Sequence, residues 1–205
     1  LLALDRRAQT ANFINNMASS LQPTGASALI SLTSFGNAEV RRHGQLWFAQ
    51  LSQAAGANGV EVREELLIDP AQELPALAAY VREQQLHVVY SCPQPLFALD
   101  GNLDTAVLQH AIAASHTLDA SWLKMSIGGF AAQSVAHSAQ GFAQLQQAIA
   151  SAQLTLLIEN DQTVAAGTVQ ALQRFFDAAN AAGLALGMTF DMGNWHYMGE
   201  CALQA

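Results

Sequence analysis

Gln153-Leu154-Thr155-Leu156-Leu157-Ile158 is a short aliphatic run that stops at three polar residues, Glu159-Asn160-Asp161. A run of this length and composition reads as a buried β-strand. The next such run, Ala185–Phe190, follows one helix-sized segment later and ends in Asp191. Toward the N-terminus the same kind of run occurs at Ala28–Phe35, Gly59–Glu64, Leu86–Ser91 and Ser121–Ile127, so the six start 31, 27, 35, 32 and 32 residues apart. A period of this size marks a repeated supersecondary unit. Each interval is long enough to hold a helix, which makes neighbouring strands parallel and the repeat a βα unit.

The segments between the runs carry helix signals of their own. Asp69 precedes Pro70 and is followed three residues later by Gln72, which reads as an N-cap, a proline at the first helical position and a capping-box partner. Leu74, Leu77, Ala78 and Val81 then fall at i, i+3, i+4 and i+7, an apolar stripe fit to lie on a sheet. Asp104 predicts a second cap, for a helix through Leu118. Ser138 predicts a third, with Phe142, Leu145, Ile149 and Ala152 inward, and Thr168 a fourth, with Leu172, Phe175, Phe176 and Ala179 inward. Gly56 and Gly183 sit where helix C-caps belong.

Six successive βα units suit either a doubly wound sheet or a β/α barrel. The loop after the first run, Ser34-Phe35-Gly36-Asn37-Ala38, lacks the glycine-rich turn of a dinucleotide-binding sheet, which favours the α/β class with a (β/α)8 TIM barrel. A complete barrel has eight units in about 250 residues, so residues 28–205 read as its first six, with strands 7 and 8 not in this chain. Residues 1–27 form a separate segment. Leu4, Ala8, Ala11, Ile14, Met17 and Leu21 are spaced as a helix face, read as an N-terminal extension, an expression remnant, or a helix packed where the barrel's last one would lie.

Composition narrows the function. The 205 residues are 51% hydrophobic and 12% charged, against about 25% charged in an ordinary soluble domain, which excludes intrinsic disorder. Eight Lys and Arg against sixteen Asp and Glu give a net charge of −8 with no basic and aromatic cluster, so nucleic acid is not an expected partner. The longest apolar runs are strand-sized, so no membrane span is expected. Cys92 and Cys201 alone do not make a disulfide framework, and the N-terminus lacks the order of a signal peptide; a soluble, cytoplasmic protein is the expectation.

Ionisable residues at strand ends point to chemistry, because parallel strands covered by helices are expected to be almost wholly apolar. Glu61, Arg63 and Glu64 lie in the second run, Lys124 in the fourth, and Glu159 and Asp191 end the fifth and sixth. Alternation puts Thr155, Leu157 and Glu159 on one face, and Gly187, Thr189 and Asp191 on one face of the next strand. If those faces look into the barrel, the two carboxylates meet at its C-terminal mouth, where active sites of this architecture gather. Two carboxylates in a poorly solvated mouth repel unless one holds a proton or a cation lies between them. A divalent metal, Mg²⁺ or Mn²⁺ for oxygen ligands and Co²⁺ or Zn²⁺ with added imidazole, is the economical partner. Alternatively, both carboxylates accept hydrogen bonds from the backbone or Lys124 and tie the strand ends together.

These residues resemble the xylose-isomerase-like β/α barrels of the sugar phosphate isomerase/epimerase group. The resemblance rests on Leu157-Ile158-Glu159-Asn160-Asp161 and Thr189-Phe190-Asp191-Met192-Gly193-Asn194-Trp195, and on Ile30-Ser31-Leu32-Thr33-Ser34-Phe35-Gly36 and Gly59-Val60-Glu61-Val62-Arg63, which look like that group's first two strands. It implies a divalent metal held by a Glu from strand 5, an Asp from strand 6, a His from strand 7 and a Glu from strand 8. Glu159 and Asp191 match the first two; the others are expected in residues following Ala205 of a longer polypeptide. It also implies a small-molecule sugar or sugar derivative as substrate, phosphorylated or not, with Glu159 as a catalytic carboxylate moving a proton beside a metal-polarised carbonyl.

Other residues stay open between two roles. His196 either hydrogen-bonds a sugar hydroxyl or faces solvent. Asn194 and Trp195 shape the same loop, with Trp195 either offering its face to a sugar ring or packing on the rim. Lys124 neutralises Glu159, holds a substrate oxygen, or bridges to Glu61; Glu61 and Arg63 meet substrate or pair across the barrel floor. Tyr90 and Cys92 end the third strand, the phenol near ligand and the thiol simply buried. His43, His110, His116 and His137 read as structural, and His87 opens the third strand at the opposite face. The leading expectation is an isomerase or epimerase. Its rivals are a metal-dependent dehydratase of a polyol or keto acid, and a truncated, non-catalytic barrel that binds a partner or self-associates as a homo-oligomer through its open edges. The apurinic endonuclease branch of the superfamily is disfavoured by the charge.

Overall fold

The six runs are strands, β1 Leu29–Ser31, β2 Gly59–Arg63, β3 His87–Ser91, β4 Trp122–Ser126, β5 Thr155–Glu159 and β6 Gly187–Thr189, in a computed structural model that describes residues 27–130 and 135–201. They form one sheet in the order β1-β2-β3-β4-β5-β6, every pair parallel. Helices α1 Asn37–His43, α2 Gln45–Ala54, α3 Pro70–Glu83, α4 Thr105–Leu118, α5 Val135–Ala152, α6 Val169–Ala181 and α7 Met192–Tyr197 lie between and after the strands. The result is a curled, six-unit part of a β/α barrel. The segment of residues 1–26 lies outside the described residues, as does the side chain of His137.

The pairing register explains how the sheet carries charges. Along the ladder Ile30, Val60 and Val88 are linked, as are Val62, Tyr90, Leu123 and Leu156, and Met125 with Ile158, and this face is covered by helices. Val60, Val62, Leu123 and Ile158 have no solvent exposure. The alternate residues pair among themselves: Ser31 with Glu61, Arg63 with Ser91, Ser91 with Lys124, and Ser126 and Thr189 with Glu159. One face is therefore apolar, and the other is polar at its C-terminal end, as the period of two in a strand dictates. The expectation of nearly wholly apolar strands is corrected: it applies to the helix-covered face alone.

The ends of several elements differ from the sequence reading. The first run pairs only over Leu29–Ser31, and Leu32–Phe35 forms a 3₁₀ turn that drives Leu32 into the core. β6 is likewise confined to Gly187–Thr189, so Asp191 is not a strand residue but the N-cap of α7. The cap on α3 is Asp69, whose side chain accepts from Gln72 N, but Glu73 and not Gln72 closes the box, its Oε1 accepting from the N–H groups of Ile68 and Asp69 at 2.7 and 2.8 Å. Gln72 Nε2 instead donates to Asp69 Oδ2. Asp104 and Thr168 cap α4 and α6 as expected. Ser138 does not start its helix: α5 already runs from Val135, since nothing among 135–138 is a helix breaker.

Under the C-terminal loops, Phe97, Phe130, Phe142 and Phe175 form an aromatic cluster, with Phe130 and Phe175 5.1 Å apart edge to face and Phe142 and Phe175 5.6 Å apart. It joins the loop after β3 to the loop after β4, α5 and α6, and so supports the floor on which the strand ends stand. Phe175 is fully buried. Phe175→Ala is expected to destabilise the protein by about 3–5 kcal/mol, read from the urea-unfolding midpoint at unchanged slope.

Candidate functional site

A cavity of about 420 Å³ opens at the C-terminal end of the polar face, bordered by Ser31 and Thr33 after β1, Glu61 and Arg63 of β2, Lys124 of β4, Glu159 of β5 and Thr189 to Gly193 after β6. Its centre is Lys124, whose side chain is 3% exposed. The ammonium donates to Glu61 Oε2 at 2.8 Å and to Glu159 Oε1 at 2.7 Å. Glu61 and Glu159 stand on strands three positions apart, about 14 Å in a flat sheet. Their reaching one nitrogen requires the sheet to curl.

The two carboxylates differ in partners. Glu61 accepts from Lys124, from Arg63 Nη1 at 3.0 Å and from Ser31 Oγ at 2.8 Å. Burial pushes its carboxyl up, but Lys124, Arg63 and Ser31 together outweigh burial and hold it below the usual glutamate range. For Glu159 burial outweighs the shared ammonium and a smaller pull from the Arg63 charge, and the Glu61 charge raises it further, so its carboxyl lies above the usual range. Paired carboxyls pushed apart in this way are suited to different tasks, one fixed as an anion and one able to take a proton.

Asp191 reaches the cavity by a device that the sequence does not advertise. Asn160, fully buried, donates through Nδ2 to Asp191 O and accepts through Oδ1 from Asp191 N, both at 2.8 Å. This side-chain rung extends the β5–β6 ladder beyond Glu159 and Thr189 and fixes the backbone of Asp191. Asp191 Oδ1 in turn accepts from Asn194 N at 2.9 Å.

The remaining candidates are placed differently. Asn194 does not border the cavity: its Nδ2 donates to Asn160 O and its Oδ1 accepts from Gln162 Nε2, so it ties the loops after β5 and β6 together. His196 is exposed on α7, away from the cavity lining. Trp195 is buried edge to face against Phe190, at 4.3 Å, and packs the rim. Tyr90 and Cys92 are buried; burial raises both, the thiol to about 12, and Cys92 Sγ donates to Gln94 Oε1. His110 pairs with Glu64 at 2.7 Å outside the barrel. Sequence reasoning placed Thr189 on the inward face but missed Ser31 and Thr33 as cavity residues, and the roles of Asn160 and of buried Gln45, which holds Arg63 through both its N–H and its C=O.

The residues present match a divalent cation in part. Three carboxylates, Glu61, Glu159 and Asp191, border the cavity against two cations, Arg63 and Lys124, leaving one negative charge in excess. Hard oxygen donors of this kind suit Mg²⁺ or Mn²⁺. Among the described residues no group of three or more His, Cys, Asp or Glu side chains is arranged to hold a metal. No helix among the described residues is long and apolar enough to cross a membrane.

The architecture has solved counterparts. A xylose isomerase domain-containing protein from Salmonella typhimurium superposes with a TM-score of 0.59 at 13% identity, over 83% of this chain and 62% of that one. The chain has the xylose-isomerase-like β/α-barrel fold. D-allulose 3-epimerase from Methylomonas sp., solved with D-allulose, gives 0.53 at 17% identity over 81% and 63%. The IolI protein, solved with a zinc atom, gives 0.58 at 14% over 86% and 66%. This chain thus spans roughly three fifths to two thirds of the length of these structures. No protein-family model and no curated protein matches it by sequence.

Removing the ammonium leaves two largely buried carboxylates facing each other. Lys124→Met is expected to cost about 3–5 kcal/mol near neutral pH. Without the ammonium their folded pKa values rise above the unfolded ones, so the deficit relative to the parent shrinks as the solution is acidified. Urea unfolding of both proteins across a pH series measures it.

Proposed function

We propose that the chain contributes the first part of the active site of a divalent-metal-dependent isomerase or epimerase acting on a small sugar, by proton transfer beside a carbonyl. The observation that carries this reading is the pairing of Glu159 and Asp191 at the ends of adjacent units, around one cavity with an excess negative charge and one carboxyl raised by burial. An epimerase solved with D-allulose and a zinc-bound protein of the same fold support it.

In this reading Glu159 and Asp191 are two ligands of the ion, which when bound polarises the substrate carbonyl. Glu159 takes the proton from the carbon beside that carbonyl, since its raised carboxyl makes it the more basic of the two wall glutamates. The Lys124 ammonium keeps Glu159 oriented into the cavity and stabilises the charged form between turnovers. Glu61 remains an anion and fixes Lys124 from the other side. Asn160 keeps Asp191 at a fixed height above the strand ends.

Incubation of the Mn²⁺-supplied protein with D-fructose in D₂O tests the reading. Deuterium is expected to enter a carbon next to the carbonyl, and Glu159→Gln is expected to slow exchange by about 10²-fold or more. No exchange with any member of a ketose and aldose panel, or equal exchange by the variant, contradicts it.

A further inference from the structure

Among the described residues, both cations that border the cavity, Lys124 and Arg63, are already held by the protein's own carboxylates. Lys124 contacts Glu61 and Glu159, and Arg63 contacts Glu61 at 3.0 Å and Glu65 at 2.8 Å. At the helix start on the cavity edge Asp191 Oδ1 accepts the N–H of Asn194, which places another carboxylate there. What remains toward the opening are hydroxyls and carboxylate oxygens. The hydroxyls of Ser31 and Thr33 lie 3.0 Å apart beside Glu61, and Thr189 stands opposite. Such a wall donates to and accepts from alcohol groups, while a phosphate ester, at about −1.5 to −2 at neutral pH, would meet a surplus of like charge.

We propose that this cavity takes a polyhydroxylated ligand bearing no phosphate or carboxylate, and that Glu61 sets that preference by occupying both wall cations. The inference rests on the sugar reading above and names its substrate class. A divalent ion held by Glu159 and Asp191 would add positive charge there but would leave the contacts of Glu61 with Lys124 and Arg63 in place, and it is on those contacts that the preference rests. Glu61 is a specificity residue in this account. Its loss would free one contact on each cation and create an anion site where none exists in the parent.

The test compares D-fructose with D-fructose 6-phosphate, as substrates and as ligands in titration calorimetry, with Mn²⁺ constant and the parent, Glu61→Gln and Lys124→Met proteins side by side. The parent is expected to favour the uncharged sugar by about tenfold or more, and Glu61→Gln to narrow that gap by a similar factor. The parent comparison stands even if Glu61→Gln does not fold. Equal or better use of the phosphate ester by the parent, with the advantage lost in Lys124→Met, overturns the inference while leaving the proton-transfer reading intact. Binding of neither sugar by the parent overturns both.

Discussion

The ammonium of Lys124 is the point on which the polar interior turns. It is almost wholly withdrawn from water, and such a charge persists only where anions face it at close range. Glu61 and Glu159 supply them from β2 and β5, so the ion pairs and the curvature of the sheet are one fact: a flat sheet would leave the ammonium with a single partner. The curl brings residues that are distant in sequence, from Ser31 to Gly193, around one cavity.

Curvature of this kind needs a rigid outer layer. Aliphatic residues pack the helix-covered face, and four phenylalanines join the loops after β3 and β4 to the last two long helices. At the C-terminal edge, side chains replace the ladder where the strands run out. Asn160 reproduces a backbone rung for Asp191, and Gln45 does the same for Arg63. Buried amides that satisfy both a donor and an acceptor position charged neighbours without adding charge of their own.

Much of this was legible from the residues because two periods do most of the specification. The spacing of aliphatic runs located all six strands, and Asp69, Asp104 and Thr168 marked helix starts. Strand ends were less legible: Leu32–Phe35 has strand-like composition, yet its place is decided by burial of Leu32 in a turn, a tertiary choice. Glu73 displaced Gln72 as the capping partner because a charged carboxylate is the stronger acceptor for the two N–H groups, while the Gln72 amide is engaged as a donor to Asp69, where local spacing suggested the amide. Glu159 and Asp191 stood out as charges beside aliphatic runs, whereas Asn160 drew no such notice and Asn194 was read as a ligand contact and not as a tie between loops, since the importance of both lies in contacts over thirty residues away.

Manganese titration calorimetry on metal-free protein, comparing the parent with Glu159→Gln and Asp191→Asn, tests the central claim most directly. The account predicts one site in the parent and weakened binding in both variants, since each removes an oxygen ligand of the shared ion. Binding of equal strength in all three proteins, or none in the parent, would contradict it and return both carboxylates to holding the strand ends together.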